Sequence, residues 1–382
     1  MHDSQLLKEI SSLKPWNSKK DAIKVNTIRY NQDFSLLTLG TSKGYRIFLT
    51  SNFKLCSEET ETNNNFGNIM IAMAYYQSAL IFLLPSKQNE KYSNKELIIF
   101  DDYYQNKIAS FKEKKEDILN FFLSKNVLFI MTLNKIIVVE LFSFKTIDII
   151  EKINYNQKLL SFNFFDYLAF TYFEDKKNIN IKFYQNENYK IISQTKKIIC
   201  PSFNFIQIIQ LSPLGDLIGV LSVFGNKIHV YYTKTGKLKE CIYMGPTIHT
   251  MEKMIFSEKK PNYIFFLKNS NIFYVYKMKK EKNDNPNCVC DKYDDNIAIN
   301  ANMNEQDPKN GIIGLMRKSS KNRDIKDVHA FSEIEGRILF FDFDRNKHKD
   351  LILIKYNGQL IKYHFIKKKS GNISPILNVQ WI

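Results

Sequence analysis

Apolar and polar positions alternate with a period of two from Leu211 to Gly245, LSPLGDLIGVLSVFGNKIHVYYTKTGKLKECIYMG, and each run of alternation stops at a turn. Pro213-Leu214-Gly215 leads into Leu217–Ser222, Gly225-Asn226 reverses the chain into Ile228–Tyr232, and Thr235-Gly236 reverses it again into Lys237–Ile242. Short half-buried strands joined by such turns predict an antiparallel meander. The unit recurs along the chain. The first strong apolar positions after successive turns are Phe34, Leu80, Val127, Leu168, Leu217 and Tyr263, spaced 41 to 49 residues apart, which is the period of a four-stranded blade. Leu351 follows 88 residues after Tyr263, one period plus an insertion of about 42 residues. Seven anchors predict an all-β chain, a WD40-like seven-bladed β-propeller with four antiparallel strands per blade and a long loop inserted in blade six.

On this reading residues 1–24 are a flexible leader with a short helix over Gln5 to Leu13, and residues 25–382 are a single propeller. Val25 to Tyr30 is the first strand and is expected to close the ring by pairing with the last blade. Residues 57–67, SEETETNNNFG, read as an acidic, Asn-rich connector. Blade four is expected over Leu159 to Ile192, and residues 279–328 form the inserted loop of blade six, acidic and then basic.

Composition agrees with such a fold. With 382 residues, 44% of them hydrophobic, and 30 Phe with 21 Tyr, the chain has ample material for packed, pleated strands. The net charge of +16 changes the picture less than its size suggests. Lys and Asn are abundant throughout beside Ile, Phe and Tyr, so the basicity is partly background, and only local clusters point to a site. The aromatics follow strand periodicity and no RNA or DNA module is present, so no nucleic-acid partner is expected. Five cysteines imply no disulfide framework and fit a reducing compartment. Cys288-Val289-Cys290 lacks a second Cys or His pair, so neither a metal nor another cofactor is expected. The longest apolar run, Ala79 to Leu84, is far short of the ~20 residues of a spanning helix, and His2, Asp3, Lys8 and Glu9 interrupt any signal-peptide run. No phosphate-binding glycine loop, zinc-protease motif or nucleophile elbow occurs, so no enzymatic activity is expected.

Two segments resemble a known family. NQDFSLLTLGTSKGYRIF near the N-terminus and LSPLGDLIGVLSVFGNKIHVYYTKTGKL in blade five are similar to the PROPPINs, seven-bladed propellers that bind polyphosphoinositides. The resemblance implies a peripheral, cytoplasmic adaptor of autophagy or endosomal traffic, monomeric, found at autophagosomal, endosomal or vacuolar membranes. Its lipids would be phosphatidylinositol 3-phosphate and the 3,5-bisphosphate, and its other blades would meet autophagy or trafficking proteins. Family members end blade five with F/L-R-R-G, whose two arginines each serve a headgroup pocket. Here the aligned residues are Ile242, Tyr243, Met244 and Gly245. A guanidinium meets phosphate oxygens bidentately, a phenol offers one hydrogen bond, and a thioether offers an anion nothing. Lys239, His249 and Lys253 are the nearby candidates to compensate, and ordinary surface roles are the alternative for all three. His229 reads as a strand residue.

The insertion supplies a second device. Its acidic half, 284–307, carries Asp284, Asp291, Asp294, Asp295, Glu305 and Asp307 against Lys292; its basic half, 309–326, carries six bases against Asp324. Within the latter, Ile312, Ile313, Leu315 and Met316 form an apolar knob beside Arg317, Lys318, Lys321 and Arg323. Such a segment can fold as a short amphipathic helix with its knob at the acyl boundary and its bases among anionic headgroups. The family's blade-six loop is a membrane-inserting element, which gives this segment the same expectation. The alternatives are a loop that folds back on the propeller and a chain that acts only as a protein-binding scaffold.

Overall fold

The computed structural model describes residues 23–59, 66–151, 153, 159–163, 167–171, 178–187, 190–199, 206–222, 227–244, 251–257, 263–268, 272–278, 328–330, 338–344, 350–355, 359–367 and 373–381. These contain seven four-stranded antiparallel sheets and no α-helix among the described residues. Blade one is β1 Val25–Tyr30, β2 Leu36–Thr41, β3 Gly44–Leu49 and β4 Leu55–Glu59. Blade two is β5 Ile69–Ala74, β6 Leu80–Pro85, β7 Glu96–Asp101 and β8 Asn106–Lys112; blade three is β9 Asn120–Leu123, β10 Val127–Met131, β11 Ile136–Glu140 and β12 Thr146–Ile150. Blade four is β13 Leu160–Phe162, β14 Tyr167–Thr171, β15 Asn178–Glu187 and β16 Lys190–Ile199. Blade five is β17 Ile206–Leu211, β18 Leu217–Ser222, β19 Lys227–Tyr232 and β20 Leu238–Tyr243; blade six is β21 Met251–Phe256, β22 Tyr263–Lys268, β23 Ile272–Lys277 and β24 Val328–Ala330. Blade seven is β25 Ile338–Asp344, β26 Asp350–Lys355, β27 Gln359–Lys367 and β28 Ile373–Trp381.

The chain forms two compact units, residues 1–151 with 336–382, and residues 152–335. In each, the core lies between blade faces. Second strands such as β2, β10 and β18 are buried along their whole length, and β6 from Ile81 onward, because a neighbouring blade covers each face; β18 is thus a continuous buried run rather than the half-buried alternation expected over Leu217–Ser222. In the first unit Tyr45, Ile47, Ala72, Leu83 and Phe100 join blade one to blade two, and Met73, Phe82, Ile99, Phe121 and Ile130 join blade two to blade three. In the second unit Ile228, Val230, Met254, Phe256 and Phe266 fill the space between blades five and six.

The turns explain the sequence segments that first stood out. In blade one Asn31 Oδ1 accepts the Leu36 N–H at 3.0 Å, and Thr50 Oγ1 donates to the Phe34 carbonyl at 2.7 Å. Blade five repeats the device: Ser212 Oγ accepts the Leu217 N–H at 3.0 Å, and Thr233 Oγ1 donates to the Gly215 carbonyl at 2.5 Å. Two glycines permit close blade contact. A Cβ on Gly40 would lie 2.9 Å from the Met70 carbonyl oxygen, and one on Gly219 would lie 2.9 Å from Met254 Cε and 3.0 Å from Phe256 Cζ.

Three expectations need correction. β1 pairs with β2 as the innermost strand of blade one rather than joining the last blade, which completes itself with β28. Residues 57–59 of the expected connector belong instead to β4, Leu55–Glu59, the outer strand of blade one, paired with β3. Blade four runs on to Ile199, because β15 and β16 pair over ten residues each. The expected helix over Gln5 to Leu13 lies outside the described residues.

Candidate functional site

The motif positions sit at the end of β20. This strand pairs with β19 through Lys227↔Tyr243, Ile228↔Ile242, His229↔Cys241 and Val230↔Glu240, with an irregularity before Tyr231↔Leu238. Alternation then sorts its side chains. Ile242 and Glu240 share the face toward blade six. Ile242 is buried in the apolar cluster with Met254 and Phe256, and the Glu240 carboxylate accepts the Tyr276 hydroxyl of β23 at 2.6 Å. Cys241 and Tyr243 take the opposite face.

Met244 follows the strand and lies half-buried against the same apolar cluster as Ile242. The two positions that hold arginines in the family motif therefore hold a half-buried phenol and a thioether packed on apolar side chains. Across from Tyr243, Lys227 is only 3% exposed, and across from Cys241, His229 is 2% exposed with Nδ1 3.0 Å from Tyr231 Oη. His229 is a strand residue, as its sequence context implied. Cys241 is disulfide-bonded, contrary to the expectation that no disulfide framework would form.

The compensating candidates do not gather into an anion pocket among the described residues. Lys239 Nζ lies 5.3 Å from the Tyr232 ring centroid, a cation–π contact within blade five. Lys253 sits half-buried on β21, paired with Leu267. Gly245 and His249 lie outside the described residues, as do Ile312, Ile313, Leu315, Met316, Arg317, Lys318, Lys321 and Arg323 of the insertion. The Glu240–Tyr276 tie went unread in the sequence because a glutamate in a half-polar outer strand looks like any solvated charge. Among the described residues no group of His, Cys, Asp and Glu is placed to hold a metal ion, and no helix is long and apolar enough to cross a membrane.

Seven four-stranded meanders, with the close structural neighbours that follow, define the molecule as a seven-bladed β-propeller. Hsv2 of Kluyveromyces lactis superposes with a TM-score of 0.68 over 93% of this chain and 98% of its own, at 13% identity. KlAtg21, solved in complex with the coiled-coil of AgAtg16, superposes at 0.59 over 94% of this chain and 99% of its own, at 14% identity. In sequence, SVP1-like protein 2 of Schizosaccharomyces pombe is 31% identical over 78 residues, 20% of this chain and 21% of the relative. Autophagy-related protein 18 of Aspergillus terreus is 36% identical over 70 residues, 18% of this chain and 16% of the relative. The matched segments thus span about a fifth or less of these relatives. No protein-family model matches the chain. The chain thus shares its fold with these propellers and short stretches of sequence with SVP1-like protein 2 and autophagy-related protein 18, which is the extent of its resemblance to the PROPPINs.

Proposed function

We propose that this chain is a non-enzymatic, PROPPIN-like adaptor of autophagy or endosomal traffic, cytoplasmic and peripherally bound to autophagosomal, endosomal or vacuolar membranes. Its contact with lipid comes from the basic half of the blade-six insertion, and recognition of phosphatidylinositol 3-phosphate or the 3,5-bisphosphate at blade five is lost or strongly weakened. The observation that carries this reading is Met244 packed on the apolar cluster between blades five and six, with Tyr243 as its neighbour. Two charge-assisted contacts, roughly 1.5–3 kcal/mol each, are missing, which corresponds to roughly 10- to 100-fold in affinity per site. The autophagy assignment is supported by the names of the sequence relatives, and a protein-binding role by the coiled-coil held by KlAtg21.

The insertion binds weakly and reversibly on this reading, since each base near an anionic surface contributes about 1 kcal/mol. Co-flotation with phosphatidylserine vesicles tests it. Ile313→Asp, or Arg317→Ala with Lys318→Ala, is expected to abolish flotation. Undiminished flotation of both variants refutes the role of the insertion. Absence of flotation by the unaltered chain would instead favour the protein-binding scaffold.

A further inference from the structure

The face of blade five that turns toward blade four collects polar and nucleophilic side chains that the lipid reading leaves unused. Tyr231 marks this face: it packs with Ile179 and Ile181 of β15 and Ile198 of β16, and Leu238 of β20 joins the same cluster. By the register of β19 and β20, Lys227, His229 and Tyr231 stand on it opposite Tyr243, Cys241 and Leu238. Lys227, His229 and Cys241 are 3%, 2% and 8% exposed. Residues directly opposite in an antiparallel pair hold their Cβ atoms about 4.5–5.5 Å apart, so His229 is the cross-strand neighbour of the Cys241 sulfur. Lys227 lies one step further along the same face.

Cys241 is disulfide-bonded, whereas Cys56 is free and exposed. Cys200, Cys288 and Cys290 lie outside the described residues. The strands beside Cys241 favour the first of these. β16 ends at Ile199, immediately before Cys200 in sequence, and runs along the β19–β20 hairpin. Lys196 Nζ donates to the Lys234 carbonyl, and a Cβ on Gly236 would lie 3.8 Å from Lys196 Cε and 3.9 Å from Ile198 Cγ1. Ile198 in turn shares its cluster with Leu238. The two outer strands therefore advance in the same direction, 196 level with 234–236 and 198 with 236–238. The same progression sets position 200 level with Glu240 and Cys241.

We infer that Cys241 and Cys200 form a reversible disulfide, a redox-responsive clasp between the outer strands of blades four and five. An ammonium and an imidazole beside a sulfur favour the thiolate, the form that attacks a disulfide. Glutathione disulfide is the oxidant. The Cys241 thiolate attacks one of its sulfurs, forms a mixed disulfide and expels one glutathione thiolate. The Cys200 thiolate then attacks the Cys241 sulfur of that bond and expels the second. The two cysteines lose two electrons and two protons, and both appear in two molecules of reduced glutathione. Use of the clasp as a switch rests on the cytoplasmic setting proposed above, where disulfides are transient and redox-sensing; the clasp itself is independent of the lipid reading.

The test equilibrates the purified full chain with reduced and oxidised glutathione over a series of ratios, quenches it with acid, alkylates free thiols and maps linked peptides by mass spectrometry. A Cys200–Cys241 link is expected in excess oxidised glutathione and is expected to open in excess reduced glutathione. The oxidised chain is expected to melt roughly 4–8 °C above the reduced one, since the bond closes a loop of about 40 residues. His229→Asn is expected to slow closure roughly 5-fold or more while yielding the same linked peptide. Cys200→Ser, which leaves the packing of Cys241 in place, is expected to abolish both the link and the melting difference, so the test stands even where Cys241→Ser fails to fold. A link from Cys241 to Cys288 or Cys290, or no link in oxidised glutathione, overturns the inference. So does a bond that persists in excess reduced glutathione, equal melting of the two states, or a closure rate unmoved by His229→Asn.

Discussion

Tyr45 carries a hydroxyl into the apolar space between blades one and two, where it donates to Asp102 at 2.5 Å. Burial first, and then the hydrogen bond and charge of Asp102, hold its phenol far above the ordinary tyrosine range. Tyr45→Phe is expected to lower stability by about 1–2 kcal/mol in denaturant titration while leaving the tyrosinate absorbance reached by pH 12 unchanged. The carboxyls of blades two and three respond to pH in the opposite sense. A hydrogen bond from Lys87 lowers Asp117 and one from Thr132 lowers Glu116; at Glu96 and Glu113 burial pushes upward but the lysine contacts outweigh it. Groups depressed in the folded state contribute stability above their unfolded values, about 4, and lose it as pH falls through the lower folded values. Melting temperature is therefore expected to drop below about pH 4, and Lys135→Met is expected to reduce that drop by removing the partner of Glu113.

At the scale of the element, the turns after third strands share one construction. Each places one residue in the left-handed region: Phe53 at φ 57°, Gln105 at 53°, Phe144 at 54° and Gly236 at 70°. Only blade five uses glycine there among these four. Gly236→Ala is expected to cost about 1 kcal/mol from conformation alone, since its added Cβ would meet nothing nearer than 3.8 Å, and Phe144→Gly is expected to gain up to about 1 kcal/mol. Gly219→Ala acts through packing. Its Cβ would press on Met254 and Phe256, and about 1–3 kcal/mol is expected to be lost in thermal or denaturant unfolding. Second strands were the most legible elements in the sequence: the anchors Leu80, Val127, Leu217 and Tyr263 open β6, β10, β18 and β22, because burial on both faces leaves an uninterrupted apolar run. Outer strands were the least legible. β8 and β12 are largely exposed on one side, and β4 ends in Ser57, Glu58 and Glu59, so its register comes from pairing with β3 rather than from its own pattern. The failed expectation of ring closure by Val25–Tyr30 has the same origin, since an inner strand does not announce its partner.

For the whole molecule, periodicity and turn chemistry revealed the seven-bladed propeller, while the state of its site had to be read residue by residue. The N-Q-D-x-S segment proved to be a clasp between blades one and two, where Asn31 and Gln32 hold Tyr76. Its resemblance to the PROPPINs therefore reports scaffold, not lipid chemistry. The replacement of two arginines by Tyr243 and Met244 was visible in sequence; that Met244 rests on the core between blades five and six was not, because packing depends on β21 to β23. The chain thus has the propeller fold, with a half-buried phenol and a thioether where the resemblance implies two arginines. The most direct test is flotation of the purified chain with vesicles bearing phosphatidylinositol 3-phosphate, the 3,5-bisphosphate, or phosphatidylserine alone at matched charge. Equal binding to all three is expected, carried by the blade-six insertion; selective binding to either phosphoinositide would contradict the account by showing a working headgroup pocket without the arginines.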